Sequence, residues 1–175
     1  MIIDCNRNIM VLFSPCGGIS RVRLAVSLKE YKRKRDFTRT SEPSGTEGGE
    51  RVDIFVVHEH HATRLHWDLR LAMDGVLKSW AVPKEPPTSA GIKRLAVQVE
   101  DHPLEYADFE GTIPKGEYGA GTVKIWDKGE FEMKERSDDK YVISFHGKRL
   151  KGEYCLLRFK RAGDKNWLFF ARKAS

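Results

Sequence analysis

The side chains best suited to chemistry lie in one short stretch, residues 58–71, which reads His-Glu-His-His-Ala-Thr-Arg-Leu-His-Trp-Asp-Leu-Arg-Leu. From residue 65 apolar and polar residues alternate, which is typical of a β-strand with one face in a core. On such a strand His66, Asp68 and Arg70 share the polar face, and Leu65 and its apolar neighbours face the core. Side chains two positions apart on a strand are roughly 6.6 Å apart, so His66 and Asp68 can lean onto one metal ion.

A third metal ligand is expected from the turn before this strand, at His60 or His61. Two imidazoles and one carboxylate suit Mn²⁺, Fe²⁺ or Zn²⁺ and leave positions open for water and a substrate oxygen. Arg70 is placed to bind a phosphate through two hydrogen bonds. A simply solvated strand face is the alternative, but four histidines within nine positions favour a metal site.

Two other catalytic motifs are present only in part, because each lacks a required residue. His58 and Glu59 begin like the zinc-protease motif His-Glu-x-x-His, but Ala62 stands where the second histidine is needed. Residues 116–122 resemble a phosphate-binding Walker loop, yet Gly121 replaces the required lysine. Because this segment leads into a strand and not a helix, we expect a tight turn at the rim of the fold there instead.

Composition places these residues in an ordinary globular domain. The chain has 175 residues, 40% of them hydrophobic, a formal net charge of +6 and an isoelectric point near 9.2. The lysines and arginines occur in short clusters, which favours an anionic partner such as nucleic acid. The alternative is a protein that is basic without binding such a partner. The three cysteines, Cys5, Cys16 and Cys155, form no C-x-x-C pair, which argues against a disulfide scaffold or a zinc knuckle. The apolar run at residues 9–13 is too short for a signal-peptide core or a membrane span, so a cytoplasmic location is expected.

Alternation with a period of two dominates the chain beyond residue 51. Asp74-Gly75 is a strong hairpin signal between two of the alternating segments. The pattern predicts an all-β fold, a compact antiparallel β-barrel of about eight or nine strands with short peripheral helices. A short helix is predicted over residues 28–35 and a loop over residues 38–50. The nine predicted strands are residues 52–58, 64–73, 76–82, 94–100, 121–127, 130–134, 141–147, 153–160 and 167–173.

Two segments are expected along the chain. Residues 1–27 lack the alternation and are interpreted as a poorly ordered arm or the product of an early start codon. Residues 28–175 are predicted to form one domain.

Several motifs, in a fixed order, resemble the 3′-phosphoesterase domain of bacterial ATP-dependent DNA ligase D and its stand-alone archaeal and bacterial versions. The resemblance covers about residues 28–173. Its motifs are H-x-A-x-x-L-H-x-D-x-R at residues 60–70, K-S-W-A-V-P-K at 78–84, E-D-H-P-L-E-Y-A-D-F-E-G at 100–111, a segment from Ile113-Pro114 to Gly121-Thr122-Val123, and Y-x-x-K-R-D-F-x-x-T-x-E-P at 31–43.

The resemblance implies a manganese-dependent enzyme that trims the 3′ end of a DNA primer strand during end repair. Such enzymes remove a 3′-terminal ribonucleoside and then a 3′-phosphate, leaving a 3′-hydroxyl. Co²⁺ or Zn²⁺ are further candidates for the metal. A primer-template is the implied substrate, with a DNA ligase and a polymerase of end joining as partners. A membrane is not expected, and no oligomer signal is visible, so a monomer is expected.

The resemblance also implies roles by position. His60, His66 and Asp68 are the implied metal ligands, and Arg70 and His102 contact the phosphate. Positions implied in substrate binding or in support of the ligands are Arg35, Asp36, Glu42, Lys84, Arg94, Glu100 and Tyr106.

Plainer readings of some of these residues remain open. His102 can be a turn histidine before Pro103, Tyr106 a core residue, and Asp36 and Glu42 loop acids that pair with nearby bases. The role of His102 is open as well: it can protonate the leaving oxygen or stabilise the phosphate.

One departure concerns the residues before the first ligand, where the family usually has Gln-Lys and this chain has His58 and Glu59. His58 can approach the same metal or a second one. Two other functions remain open: a non-catalytic nucleic-acid-binding barrel, and a metallophosphatase for small phosphomonoesters.

Overall fold

The computed structural model describes residues 2–4, 9–13, 19–23, 28–45 and 53–173, the first three segments by their backbone alone. Strands β1 (Ile2–Asp4), β2 (Ile9–Phe13) and β3 (Ile19–Arg23) form a separate three-stranded antiparallel sheet, which the sequence analysis did not anticipate. The division of the chain at residue 27 stays a prediction. Cys5, Cys16 and the predicted loop beyond residue 45 lie outside the described residues, whereas Cys155 is buried with a free thiol.

The rest of the described chain is a closed antiparallel barrel of eight strands with one extra strand, which confirms the predicted all-β fold. The sheet order is β10-β11-β12-β7-β6-β5-β4-β9-β8, and pairing of β9 with β10 closes the barrel. The strands are β4 (Ile54–His61), β5 (Leu65–Met73), β6 (Val76–Val82), β7 (Lys93–Gln98), β8 (Gly111–Ile113), β9 (Gly121–Arg136), β10 (Lys140–His146), β11 (Lys151–Arg158) and β12 (Asn166–Ala171).

In the described part of the chain, helical structure is confined to short peripheral pieces. Helix α1 spans Lys29–Arg33, inside the helix predicted from the sequence, and two 3₁₀ turns span Leu104–Asp108 and Lys160–Ala162. None of the helices among the described residues has the length and apolar character needed to cross a membrane.

The two faces of the barrel wall carry two different cores. Inward-facing residues of β4 and β5, such as Phe55 and Leu69, join Trp80 and Trp167 in a large aromatic and aliphatic cluster that fills the barrel. Outward-facing residues of the same strands pack under α1 and the first 3₁₀ turn, in a second cluster around Tyr31 and Tyr106. Because side chains alternate along a strand, the polar residues of β4 and β5 lie in this outer layer.

Three details differ from the sequence-based expectations. Residues 121–127 and 130–134, predicted as two strands, form the single strand β9, which passes from β4 to β10. Gly129 makes that passage possible, since a Cβ there would lie 2.4 Å from the carbonyl oxygen of His146. Strand β8 was missed because three residues are too few to show a period. Leu65, expected to face the core, is 45% exposed at the start of β5.

One buried carboxylate fixes the turn between β10 and β11. Asp127 accepts hydrogen bonds from the backbone N–H groups of Lys128, Lys148, Arg149 and Leu150, at 2.7–3.1 Å. A residue that satisfies four backbone donors in this way takes the place of β-ladder partners that the turn lacks.

Replacement of Asp127 by alanine is therefore expected to lower the free energy of unfolding by about 3 kcal/mol, because it leaves backbone donors near Leu150 without an acceptor. Urea denaturation followed by circular dichroism measures this loss. The matched control Lys148→Ala keeps the backbone N–H and is expected to change stability by no more than about 0.5 kcal/mol. A loss below about 1 kcal/mol for Asp127→Ala contradicts the assigned role.

Candidate metal centre and phosphate site

Three potential metal ligands meet on the outer face of the barrel. His60 on β4 lies directly opposite His66 on β5, and Asp68 follows two residues later on the same face. One ligand atom from each residue lies within 4.8 Å of the other two. His60 Nδ1 is 3.8 Å and His66 Nε2 is 3.7 Å from the nearer oxygens of Asp68. The expectation that His60 and His61 lie in a turn was wrong, because β4 extends through residue 61.

The second nitrogen of each imidazole is already engaged by a backbone carbonyl. His60 Nε2–H donates to the carbonyl of Gly119 at 2.9 Å, and His66 Nδ1–H donates to the carbonyl of Arg64 at 3.0 Å. Metal-binding histidines usually donate their other ring N–H in this way, which fixes the tautomer and the ring orientation. The other nitrogen of each ring, Nδ1 of His60 and Nε2 of His66, faces Asp68, so the set fits a divalent cation with mixed nitrogen and oxygen preference.

His61 lies outside this cluster. Its side chain is on the opposite face of β4 and is 46% exposed, with Nε2 at 2.5 Å from Glu59 Oε1. Of the two histidines left open by the sequence, the structure brings His60 to the other donors and leaves His61 at the surface.

Arg70 is buried beside the cluster and holds three partners. Its Nη2 donates to Asp68 Oδ2 at 3.0 Å, its Nη1 to Ser79 Oγ at 2.9 Å, and its Nε to His58 Nδ1 at 3.2 Å. A guanidinium has five N–H donors, so one on each terminal nitrogen remains beyond these three bonds. Burial by itself raises the pKa of Asp68, but the charge of Arg70, with smaller contributions from His60 and His66, outweighs it and the pKa falls below its usual range.

His58 supports Arg70 rather than the cluster of potential ligands. It lies opposite Asp68 in the β4–β5 register, has no exposed surface, and accepts the Arg70 Nε–H through Nδ1. Burial and the Arg70 charge lower its pKa from 6.5 to about 3, so the ring is neutral near pH 7. The possibility that His58 joins the metal is not supported by this arrangement.

Ser79 is a site residue that the sequence analysis missed. It pairs with Arg70 across β5 and β6, and its hydroxyl accepts from Arg70 and donates to the carbonyl of Leu77 at 3.0 Å. The alternation of β6 puts Ser79 on the outer face, but only the strand pairing shows which arginine it meets.

His102 lies on the other side of Ser79, with Nδ1 at 3.4 Å from the serine hydroxyl. Its Nδ1–H donates to the carbonyl of Glu100 at 2.9 Å, and its Nε2 accepts from Arg35 Nη2 at 3.3 Å. Burial and the charges of Arg70 and Arg35 hold the pKa of His102 well below its usual range. His102 is therefore a neutral hydrogen-bond acceptor between two arginines.

A buried ion-pair network ties the segment after α1 to this histidine. Arg35 donates through Nε to Glu42 at 2.8 Å and through Nη1 to Glu100 at 3.4 Å. Lys34 bonds the second oxygen of Glu100 at 3.0 Å. Glu42 and Glu100 are thus partners of Arg35, which is the plainer role foreseen for Glu42.

The remaining residues of the implied set divide into two groups. The Tyr106 ring is buried against His102, with centroids 4.8 Å apart, and lies 4.8 Å from the Arg70 guanidinium. Three others lie outside these contacts. Asp36 is exposed and accepts from Thr38 in its own turn, Lys84 is exposed, and Arg94 donates to the carbonyl of Glu85.

Comparison with known proteins matches these residues to one family. The model of the DNA ligase D 3′-phosphoesterase domain matches residues 58–158. A multifunctional non-homologous end joining protein LigD from Mycobacterium bovis is 48% identical over 151 residues, covering 83% of this chain and 20% of the relative. The LigD proteins of Pseudomonas aeruginosa and Mycolicibacterium smegmatis are 48% and 45% identical, also over 83% of this chain, and 18% and 20% of their own lengths are covered. The chain therefore spans about a fifth of the length of these relatives.

We expect His66→Ala to lower the affinity for Mn²⁺ by about 100-fold or more, because even partners that only orient a metal ligand contribute 10- to 100-fold. Isothermal titration calorimetry measures the affinity. His61→Ala, which removes a neighbouring imidazole outside the cluster, serves as the matched control and is expected to retain it. Equal losses in the two variants contradict the ligand set.

The two buried neutral histidines predict a pH-dependent stability in the metal-free protein. Unfolded histidines take up a proton near pH 6.5, whereas folded His58 and His102, with lowered pKa values, do not. Their contribution to stability is thus fully present above pH 6.5 and is lost as the pH falls below it. Between pH 6 and 5 the free energy of unfolding should fall by about 1 kcal/mol per pH unit for each histidine, before carboxylates titrate.

Urea denaturation at several pH values tests this expectation. His102→Gln should remove about half of the slope, and His146→Gln, which replaces an exposed histidine, should leave it unchanged. A flat profile in the unmodified protein would contradict the neutral, buried state of both rings.

Proposed function

Because the chain belongs to the DNA ligase D 3′-phosphoesterase family, we propose that it is a metal-dependent enzyme that processes the 3′ ends of DNA in strand-break repair. The proposed reaction removes a 3′-terminal ribonucleoside and then the 3′-phosphate, which leaves a 3′-hydroxyl. The observation that supports it best is the convergence of His60, His66 and Asp68 beside the buried Arg70.

The proposed metal is Mn²⁺, with Co²⁺ or Zn²⁺ as alternatives of similar ligand preference. His60 Nδ1, His66 Nε2 and a carboxylate oxygen of Asp68 would hold it. When bound there, such a cation polarises a phosphoryl oxygen and lowers the pKa of a coordinated water.

Arg70 supplies the protein's own charge to the phosphate. Its remaining N–H donors, one on each terminal nitrogen, suit two oxygens of one phosphate. Because Asp68, Ser79 and His58 already hold the guanidinium, its orientation needs no rearrangement as negative charge develops on those oxygens.

His102 begins as a neutral acceptor of an Arg35 N–H, so it has no proton to give through Nε2. A phosphate placed beside Arg70 and Arg35 adds negative charge, which raises the pKa of a nearby imidazole. Protonation of His102 after substrate binding would then let it donate to the phosphate. Because His102 would gain its proton only after the phosphate binds, this order of events favours stabilisation of the phosphate over general acid catalysis as the role of His102.

The proposed partner is a DNA primer-template, and the proposed setting is end joining with a ligase and a polymerase. The relatives are named as multifunctional end-joining proteins, and this chain spans only a fifth of their length. The other activities of end joining would therefore come from other polypeptide segments. A monomeric, cytoplasmic enzyme is the proposed form.

A non-catalytic DNA-binding barrel and a phosphatase for small molecules are the rival functions. We expect the protein with Mn²⁺ to remove the phosphate from a primer-template with a 3′-phosphate, and a terminal nucleoside from one that ends in a ribonucleotide. A persistent 3′-phosphate favours the non-catalytic rival. Comparable rates on a free nucleoside 3′-monophosphate and on the duplex end favour the small-molecule rival.

Two controls accompany this assay: a variant that lacks a potential metal ligand, and primers that differ only in the terminal 2′-hydroxyl. His66→Ala is expected to abolish turnover on both ends, because the potential ligand set is then incomplete. Primers with and without a terminal 2′-hydroxyl separate nucleoside removal from phosphate removal. Unchanged turnover in His66→Ala would refute the proposed site.

A further inference from the structure

An exposed aromatic ring lies next to the potential metal ligands. Tyr118 is in the turn between β8 and β9 and is 47% exposed, the most exposed of the large apolar side chains in the described part of the chain. The next residue, Gly119, provides the carbonyl that orients His60. Tyr118 therefore directly precedes the residue whose carbonyl orients one of the potential metal ligands.

The Tyr118 side chain also contacts two basic residues, Lys34 and Arg35, which belong to the network around His102. Lys34 Nζ donates to the Tyr118 hydroxyl at 3.3 Å and lies 4.5 Å from the ring centroid. The Arg35 guanidinium is 5.5 Å from the same centroid. Lys34 and Arg35 also bond Glu100, whose carbonyl holds His102. The ring thus lies between the residues around His60 and those around His102.

The turn that presents Tyr118 has a defined backbone. Gly116 and Gly119 have φ values of +93° and +79°, which other residues rarely adopt. Backbone bonds from Glu117 to Pro114 and from Ala120 to Glu117 close the turn on either side. An exposed ring that is already ordered loses little conformational entropy when it binds a ligand.

We propose that Tyr118 is the stacking platform for the nucleobase that adjoins the reacting phosphate. The proposal rests on the proposed function, which brings a nucleic-acid phosphate to Arg70. A base beside that phosphate is a flat ring, and aromatic side chains bind bases of any identity by stacking. The cations near the tyrosine ring contribute to such stacking through cation–π contacts.

A single exposed aromatic residue is common on protein surfaces and needs no function. Tyr118 differs because its hydroxyl and its ring both contact residues of the site. Phe159, which is 38% exposed after β11, has a comparable ring at a different place on the barrel and supplies a control.

The test compares ends with and without a base. Fluorescence anisotropy measures the affinity of the full chain with Mn²⁺ for a primer-template that ends in a ribonucleotide. The same measurement uses an abasic ribose at the terminal position and, separately, an abasic site at the penultimate position. The position at which loss of the base weakens binding identifies the stacked nucleoside.

We expect the complete end to bind about tenfold more tightly than one of the abasic ends, since stacking contributes on the order of 1–3 kcal/mol per base. The quantity compared among variants is this ratio of the two affinities, complete end to abasic end. Tyr118→Leu should bring this ratio close to one. Tyr118→Phe, which keeps the ring and loses only the hydrogen bond between the hydroxyl and Lys34, should preserve the ratio, as should Phe159→Leu.

Two outcomes overturn the proposal. One is a ratio that survives in Tyr118→Leu, and the other is a ratio lost equally in Tyr118→Phe and Tyr118→Leu, which assigns the effect to the hydroxyl. Parallel turnover measurements test the proposed enzymatic function separately from the proposed role of Tyr118. If the wild-type protein cleaves neither end, the proposed function fails, and the affinity ratio still decides whether Tyr118 binds a base.

Discussion

The buried ion pair between Arg70 and Asp68 is the interaction on which the site depends. Both side chains lie under the peripheral layer, where an unpaired charge is very costly. Asp68 neutralises Arg70 while it faces two imidazoles, and Arg70 is held in place by the neutral acceptors His58 and Ser79. One set of contacts therefore both satisfies the buried charges and aligns the groups that would bind a metal and a phosphate.

Strand register is the second requirement. His60 faces His66, and His58 faces Asp68, only because β4 and β5 pair in one alignment. A shift by one residue would move every polar donor to the inner core and every apolar residue to the outer layer, at a prohibitive cost. The pairing of β4 with β9 is irregular between Val57 and His58, and such bulges are common beside active sites because they redirect side chains.

Local patterns predicted much of this architecture. The alternation after residue 65 predicted which side chains of β5 share the site, and the strand count predicted a barrel. What could not be predicted depends on pairing between distant segments. The position of His60 on a strand, the continuity of β9 through Gly129, and the contact of Ser79 with Arg70 all follow from neighbours far along the sequence. The exposure of Leu65 at a strand end is likewise invisible to alternation.

The barrel interior is filled by side chains, and the polar site lies on the outside of the same wall. On β5, residues 67, 69 and 71 pack inward, while residues 66, 68 and 70 face outward, so successive positions meet different physical requirements, apolar packing on one side and polar contacts on the other. Adaptation to a hotter or colder habitat can act on the inward set, and a change of substrate preference can act on the outward set. The thickness of one polypeptide backbone separates the two sets, and because Asp68 and Arg70 are buried as well, a substitution in the outward set also changes stability.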